Sequence, residues 1–346
     1  MSHPRIADLS RRGFLAAGGA IGLAALAAAC GGNSGKGSDA AATADAKTGP
    51  WSFTDDRGQT ARAAAPPTSI VAYVGTAAAL YDFGVRDQIK GVFGPAKQAD
   101  GRPDPLAGDL PVDTLASVGS AWGEFSIEKY AALKPELLVT HMFLPNALWY
   151  VPDASKTKIL ALAPAAGITV ANTPLTHPIE KYAQLAASLG ADLKAGAVVA
   201  AKQRFEKSVR SLQAAVKANP GVKVMAASAA QNLLYVSKPS VYADLNYYAQ
   251  LGVNFVVPDK VDSDGFFEDL SWENADKYKA DLILLDSRTS ALQPKDLTGK
   301  PSWAKLPAVK AGQITPWLSE PRFSYQGAAP VIETLATAIQ NAKKVS

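Results

Sequence analysis

The sequence KAGAVVAAKQRFEKSVRSLQAAVKA, residues 194–218, has the apolar spacing of one long amphipathic helix. Its larger apolar residues recur at a period of about 3.6 residues and share one face, at Val198, Phe205, Val209, Leu212 and Val216. Asn219-Pro220-Gly221 ends the pattern. At a rise of about 1.5 Å per residue the helix is about 37 Å long, roughly the width of a small domain. We predict that it joins two parts of the molecule.

Alternating strands and helices are predicted on both sides of this helix. Before it, apolar runs that read as strands lie at 69–74, 89–93, 136–140 and 168–171. After it, strands are predicted at 222–227, 233–236, 253–257, 281–285 and 313–315, with a last helix at 328–342. This alternation indicates βαβ units and parallel sheets.

The predicted fold is therefore α/β, with two lobes that each hold a mostly parallel sheet flanked by helices. We place the N-terminal lobe at residues 51–177, a linking helical segment at 178–221 and the C-terminal lobe at 222–346. Ligands of open α/β sheets bind beyond the carboxyl ends of the strands. The cleft between the lobes is thus the expected ligand site.

Composition excludes several classes of function. The chain has 346 residues, 48% of them hydrophobic, with a dispersed net charge of +4 and no basic run of the kind that binds nucleic acid. Its single cysteine, Cys30, permits no intrachain disulfide and no Cys-based metal site. Past the leader only His141 and His177 remain as histidine ligands, which is too few for a transition metal.

The first 50 residues look like an export leader followed by a tether. Arg11-Arg12-Gly-Phe-Leu and the uncharged run 16–29 resemble a twin-arginine signal, so we predict a signal peptide at 1–29. The run ends at a sequence similar to a lipoprotein processing site, although Ala27 stands where Leu is more usual. We predict a lipidated Cys30, a flexible tether at 30–50 and a location on the outer face of the cytoplasmic membrane. The alternative is an ordinary secreted protein with a buried thiol.

Four stretches of the chain resemble one known family in their order and motifs. They are the opening at 51–92, with Phe83 where Leu is usual; the motif SIEKYAALKPELLV at 126–139; its second-lobe counterpart LSWENADKYKADLIL at 270–284; and the ending around Trp303, 307–317 and 325–327. They are similar to the ABC-transporter substrate-binding proteins for ferric siderophores, haem and cobalamin.

The resemblance implies a two-lobed binding protein of the helical-backbone type (class III), acting as a monomer with a membrane permease and its ATPase. It implies no enzyme activity and no cofactor. In this family one glutamate on each lobe meets arginines of the permease, and the matching residues are Glu128 and Glu273. The alternative is that both are ordinary acidic residues at helix starts, where a carboxylate favours the helix dipole.

The residues that follow the predicted strands are the candidates for contact with the ligand. Most are aromatic and a few are cationic: Tyr73, Trp122, His141, Phe143, Trp149, Tyr150, Phe267, Arg288, Trp317, Arg322 and Tyr325. Such a lining suits a sizeable organic ligand with oxygen acceptors. Arg288 and Arg322, or else Arg102, are the expected donors to a chelator.

The expected ligand is a ferric siderophore, by default of the hydroxamate type, and because the chain has too few ligands for a bare metal ion, the iron must arrive already chelated. Haem, with His141 as an axial ligand, and cobalamin are the alternatives within the family. An exported enzyme is the alternative from another class, although the sequence holds no recognisable catalytic constellation. The acidic residues between 259 and 269 are predicted to form a solvated loop at the mouth of the cleft.

Overall fold

The computed structural model describes residues 49–346. The predicted signal peptide, Cys30 and nearly all of the predicted tether lie outside the described residues. Within 49–346, no helix has both the length and the apolar character needed to cross a membrane.

A parallel sheet of five strands forms the centre of the N-terminal lobe. An antiparallel hairpin of β1 (Trp51–Thr54) and β2 (Thr60–Ala63) precedes it. The sheet has the order β5-β4-β3-β6-β7. Its strands are β3 (Ile70–Tyr73), β4 (Ile89–Phe93), β5 (Ala116–Gly119), β6 (Leu137–Met142) and β7 (Ala165–Thr169). All residues of β3 and β6 are buried, as expected for strands covered on both faces.

Helices cover both faces of this sheet. They are α1 (Val74–Asp82), α2 (Ile127–Ala132), α3 (Asp153–Leu162) and α4 (Thr176–Ser188). The start of α2 is fixed by Ser126, whose side-chain oxygen accepts a hydrogen bond from the Lys129 amide at 3.2 Å. Glu136 ties the start of β6 to that of β3, because its carboxylate accepts from the amides of Thr68 and Ser69.

The C-terminal lobe has a mixed sheet with the order β11-β9-β8-β12-β13, and β10 pairs with β8 beside it. Its strands are β8 (Lys223–Ala229), β9 (Leu233–Ser237), β10 (Asn254–Phe255), β11 (Phe267–Ser271), β12 (Leu282–Asp286) and β13 (Ile314–Trp317). All pairings are parallel except those of β9, which runs antiparallel to both of its neighbours. The prediction of mostly parallel sheets is confirmed. Its helices are α6 (Ala243–Gln250), α7 (Pro301–Lys305) and α8 (Pro307–Lys310).

The predicted long helix is present as α5 (Gly196–Ala218), with Val198, Phe205 and Leu212 buried along one face. The last helix, α9 (Tyr325–Asn341), begins three residues earlier than predicted and packs along α5. Arg204 of α5 donates to the Glu333 carboxylate of α9 through two parallel bonds of 2.9 and 2.7 Å. The predicted single long helix therefore links the lobes, and α9 packs along it.

A buried ion pair joins the lobes near the start of α9. The Nη1 atom of Arg322 lies 3.2 Å from both carboxylate oxygens of Asp82, which also accepts a hydrogen bond from Ser324. The guanidinium lies against Gly108, whose φ of +53° puts it in a region that favours glycine. A Cβ at Gly108 would overlap the guanidinium.

Gly108→Ala is expected to destabilise the protein by displacing Arg322 from Asp82. Leaving a buried carboxylate without its partner costs about 3 kcal/mol or more, and the backbone strain adds to this. Gly101→Ala is the matched control, because Gly101 also has a positive φ (+85°) but nothing within 4 Å of an added Cβ. Urea unfolding of the two variants separates strain from displacement; equal losses would contradict a structural role for the ion pair.

Candidate functional site

A cavity of about 210 Å³ lies between the lobes, beyond the carboxyl ends of the strands. From the N-terminal lobe it is lined by Phe143, Leu144 and Trp149, which follow β6. From the C-terminal lobe it is lined by Arg288 after β12, Ser319 and Glu320 after β13, and the group Tyr242, Asp262, Asp264, Phe266 and Phe267. The cavity is therefore where the strand topology predicts a ligand site.

Aromatic rings form the N-terminal wall and its rim. The ring centroid of Trp149 lies 4.7 Å from that of Phe143 and 4.8 Å from that of Trp122. Trp122 also packs edge-on against Tyr150, at 5.1 Å, and is 65% exposed. An indole this exposed at the mouth of a cavity offers a flat apolar surface to an incoming ligand.

The opposite wall combines aromatic rings with charged side chains. Phe266 packs against Tyr242 at 5.7 Å and, across the cleft, against Phe143 at 6.1 Å. Phe267 lies at the start of β11 and packs against Tyr235 at 4.9 Å. The contact between Phe143 and Phe266 brings the two lobes together at the cavity.

Arg288 is held on the C-terminal wall by Asp286, the last residue of β12. Its Nε and Nη2 atoms donate to the buried Asp286 carboxylate, which also accepts from Ser228 at 3.0 Å. Its Nη1 donates to Oε1 of Glu320 at 2.5 Å. Burial disfavours the charge, but the carboxylates of Asp286 and Glu320 outweigh it and raise the pKa of Arg288, so the guanidinium stays charged.

Glu320 accepts hydrogen bonds from both lobes. Its Oε2 atom accepts from the Tyr73 hydroxyl at 2.7 Å and from Nε1 of Trp149 at 3.1 Å, both in the N-terminal lobe. Burial, and next the Glu320 carboxylate, raise the pKa of Tyr73 well above its ordinary value, so the phenol keeps its proton and remains a donor. The carboxylate therefore bridges the cleft.

His141 lies behind the cavity wall. It belongs to β6, is 1% exposed, and its ring packs against Tyr73 at 4.8 Å, Phe143 at 5.1 Å and Phe323 at 5.8 Å. Neither ring nitrogen has a hydrogen-bond partner among the described residues. Burial lowers the pKa of His141 to about 3, so the ring is neutral at physiological pH.

Comparison with known proteins places this architecture in a family. The sequence model of a periplasmic binding protein family matches residues 70–320. The chain belongs to that family of periplasmic binding proteins. A search of curated protein sequences found no match.

Solved structures agree with the assignment of this chain to the periplasmic binding proteins. The structure of DesE, a ferric-siderophore receptor protein from Streptomyces coelicolor, is 49% identical with a TM-score of 0.82, and the match covers 86% of this chain and 100% of DesE. The triscatecholate siderophore-binding protein FeuA from Bacillus subtilis is 18% identical with a TM-score of 0.60, over 83% of this chain and 97% of FeuA. The haem-binding protein RhuT from Roseiflexus is 17% identical with a TM-score of 0.56, over 79% and 98%. The last two show the fold alone.

Three predicted site residues of this periplasmic binding protein lie away from the cavity. Trp317 is 1% exposed, and its Nε1 donates to the buried Asp244 at 2.7 Å, so it packs in the core. Arg322 is held by Asp82 at the lobe junction. Tyr325 begins α9 and packs between Phe83 and Phe205, at 5.7 and 5.5 Å. A site role for these three is corrected, because tertiary partners direct each side chain elsewhere.

The other predicted site residues either line the cavity or contact residues near it. Phe143, Trp149, Phe267 and Arg288 line the cavity. Tyr73, Tyr150 and Trp122 do not, and instead contact one another or Trp149. The prediction omitted Ser319 and Glu320, which come directly after β13 and which the strand-end rule could have found. Arg102, the alternative donor in the prediction, pairs with Asp100 in an exposed loop and does not line the cavity.

The acidic stretch at the cavity mouth is part loop and part strand. Asp262 and Asp264 lie at the mouth as predicted, but Glu268 and Asp269 belong to β11. Glu268 is buried. Its carboxylate is tolerated there because Lys277 and Tyr278 both donate to it, each at 2.5 Å. No cluster of three or more His, Cys, Asp or Glu in residues 49–346 has the geometry of a metal site.

The two predicted permease-docking residues are both exposed and occupy matching places. Glu128 is in the first turn of α2, which follows β5, and Glu273 is in a 3₁₀ turn that follows β11. Since β9 is antiparallel to both β8 and β11, the latter runs in the same direction as β8. Glu128 and Glu273 thus each follow the carboxyl end of a strand, β5 in one lobe and β11 in the other.

Proposed function

We propose that this protein captures a ferric siderophore outside the cytoplasm and delivers it to the permease of an ABC importer. The observation that carries the proposal is the 49% identity over the whole length of a ferric-siderophore receptor. A cavity walled by aromatic rings and holding one fixed guanidinium is consistent with it. The ligand class we favour is a ferric hydroxamate chelate.

The cavity offers two kinds of contact to such a chelate. Phe143, Trp149 and Phe266 present apolar rings to the organic shell of the ligand. Arg288 carries five N–H groups, of which Asp286 and Glu320 occupy three, so further donors remain for the anionic oxygens of the chelate. The protein would thus recognise the chelator rather than the metal ion.

Capture requires the cavity to widen. Its volume of about 210 Å³ is below the roughly 300–1,000 Å³ typical of sites for small organic ligands. The bonds from Tyr73 and Trp149 to Glu320 cross the cleft at this point. These contacts are therefore the ones that a widening movement of the lobes has to exchange for contacts with the ligand.

Delivery is assigned to Glu128 and Glu273. Both carboxylates are exposed, one on each lobe, and each follows the carboxyl end of a strand. A permease with arginines at matching positions could then contact both lobes across the cleft. Its ATPase would power the release of the ligand into the translocation path. We propose that the binding protein acts as a monomer and without a cofactor.

The protein is proposed to be anchored by a lipid on Cys30 after export by the twin-arginine route. The support is the paired arginines, the apolar run and the single cysteine that follows it. Replacing Cys30 by Ser is expected to shift the protein from the membrane fraction to the soluble extracytoplasmic fraction. Retention in the membrane fraction would contradict a lipid anchor at this residue.

Intrinsic tryptophan fluorescence tests the proposed ligand. Trp149 lines the cavity and Trp122 stands at its rim, so a bound ferric chelate should quench both. We expect saturable quenching of the purified full chain by a ferric trihydroxamate, and weaker or no quenching by a ferric tris-catecholate, haem or cobalamin. Saturable binding of haem alone, or of none of the four, would overturn the proposal. The haem alternative relies on His141, which is buried behind the wall.

Arg288→Lys is expected to weaken binding of the ferric chelate about 10-fold. Lysine keeps the charge but cannot bond Asp286 through a planar fork while also donating into the cavity. Arg204→Lys is the matched control, because Arg204 forks onto Glu333 on the outer surface, far along α9 from the cavity. Titration of both variants distinguishes the two sites; equal affinities would show that Arg288 does not contact the ligand.

A further inference from the structure

Glu320 occupies the place that an anionic ligand would take. It is 6% exposed, and its two oxygens accept from Tyr73, Trp149 and Arg288, which come from both lobes. A hydroxyl, an indole N–H and a guanidinium are also the donors that an oxygen-rich chelate would use. The cavity therefore contains a built-in carboxylate where its strongest donors converge.

The cavity holds more negative than positive charge. Among the described residues that line it, Arg288 is the only cation, whereas Asp262, Asp264 and Glu320 are acidic. Asp286 lies directly behind Arg288 and engages its Nε and Nη2 atoms. The two carboxylates that touch the single guanidinium already exceed its positive charge, and Asp262 and Asp264 add further negative charge.

We propose that Glu320 is a specificity-determining residue that makes the cavity select chelates by charge. It admits a neutral ferric trihydroxamate and disfavours a ferric tris-catecholate, which is a polyanion. This inference rests on the proposed function, since it concerns which ferric chelate the same cavity takes.

The charges of the two chelate classes follow from their ligands. Three singly ionised hydroxamates cancel the charge of the ferric ion, whereas three doubly ionised catecholates leave a large net negative charge. A polyanion placed against Glu320 meets repulsion that Arg288 cannot offset, because Glu320 and Asp286 already neutralise that guanidinium. A neutral chelate meets no such penalty and keeps its contacts with the aromatic wall.

The test compares Glu320→Gln with Glu333→Gln, using the full chain and both chelates. Glu333 lies on the outer face of α9 and pairs with Arg204, so its variant makes the same change in net charge away from the cavity. The measured quantity is the ratio of the Kd for a ferric tris-catecholate to the Kd for a neutral ferric trihydroxamate. We expect Glu320→Gln to lower this ratio about 10-fold or more, and Glu333→Gln to leave it unchanged.

Each outcome bears on the proposal. An unchanged ratio in Glu320→Gln, or an equal change in both variants, overturns the role of Glu320 and leaves siderophore binding intact. A wild-type protein that prefers the tris-catecholate also overturns it. A wild-type protein that binds neither chelate overturns the proposed function together with the inference.

A second measurement needs no variant and covers the case that Glu320→Gln fails to fold. Raising the salt concentration from about 0.05 to about 0.5 M screens repulsion at a cavity that is open to solvent. The ratio of the two Kd values in the wild-type protein is expected to fall as salt rises. A ratio that is constant with salt would overturn selection by charge.

Discussion

Reversing both docking charges, Glu128→Arg together with Glu273→Arg, is expected to abolish uptake of the ligand by cells. Both side chains are exposed, and neither is among the described residues that line the cavity. The affinity of the purified protein for its ferric chelate should therefore stay unchanged. Placing arginines opposite the arginines proposed on the permease turns two attractions into repulsions, and like-charge contacts of this kind cost several kcal/mol. Transport assays with labelled iron, paired with fluorescence titration, measure the two properties separately.

Glu180→Arg together with Glu206→Arg is the matched control. Both are exposed carboxylates, on α4 and α5, and their reversal makes the same change in net charge. Uptake should continue in this control. Wild-type uptake in the docking variant, or an equal loss in the control, would remove the basis for assigning docking to Glu128 and Glu273.

The second prediction with a large expected effect is that His141 makes the folded protein less stable in acid. The folded protein keeps this ring neutral because burial lowers its pKa to about 3, whereas in the unfolded chain a histidine has a pKa of about 6.5. Below pH 6.5 the unfolded chain takes up a proton that the folded protein does not. The stability that His141 contributes is therefore complete above about pH 6.5 and is lost as the pH falls toward 3.

Between pH 7 and pH 4 this residue should cost the wild-type protein about 3 kcal/mol of unfolding free energy. His141→Phe keeps a flat ring in the same aromatic surroundings but carries no proton. We expect it to remove that part of the acid sensitivity. At pH 7 it should also stabilise the protein by about 1–2 kcal/mol, because a buried N–H without a partner disappears.

Urea unfolding at pH 7 and pH 4 measures the difference, and His177→Phe provides the comparison. His177 is partly exposed and its Nε2 lies 3.0 Å from Asp56, so its replacement does not remove a buried, unpartnered ring. If His141→Phe and the wild-type protein lose the same free energy between the two pH values, then His141 is not what makes the fold acid-sensitive.

The sequence predicted the parts of the fold that depend on local pattern. The period of the residues facing inward on α5 and the continuous apolar runs of β3, β6 and β12 are properties of neighbouring residues. β11 was not predicted, because Glu268 interrupts its apolar pattern and is buried only through Lys277 and Tyr278. Contacts between residues that are separated in the sequence leave no local pattern from which a strand could be predicted.

The sequence predicted side chains at the cleft but not which of them line the cavity. The strand-end rule proposed Phe143, Trp149 and Arg288, and these three line it. It could not tell Trp317 from Glu320, because side chains point to alternating faces near a strand end and only the folded neighbours show which face is the cleft. Arg322 was misplaced for the same reason, since Asp82 lies 240 residues away in the sequence.

The packing of α9 on α5 affects how the chain folds as it is synthesised. α9 is synthesised after every other described helix and strand, yet it covers α5 from the middle of the chain, and its first residue, Tyr325, fills the space between Phe83 and Phe205. Until α9 has been synthesised, the side of α5 that it covers stays exposed. A chain cut short before Tyr325 is therefore expected to lack this helix pair and to remain incompletely folded.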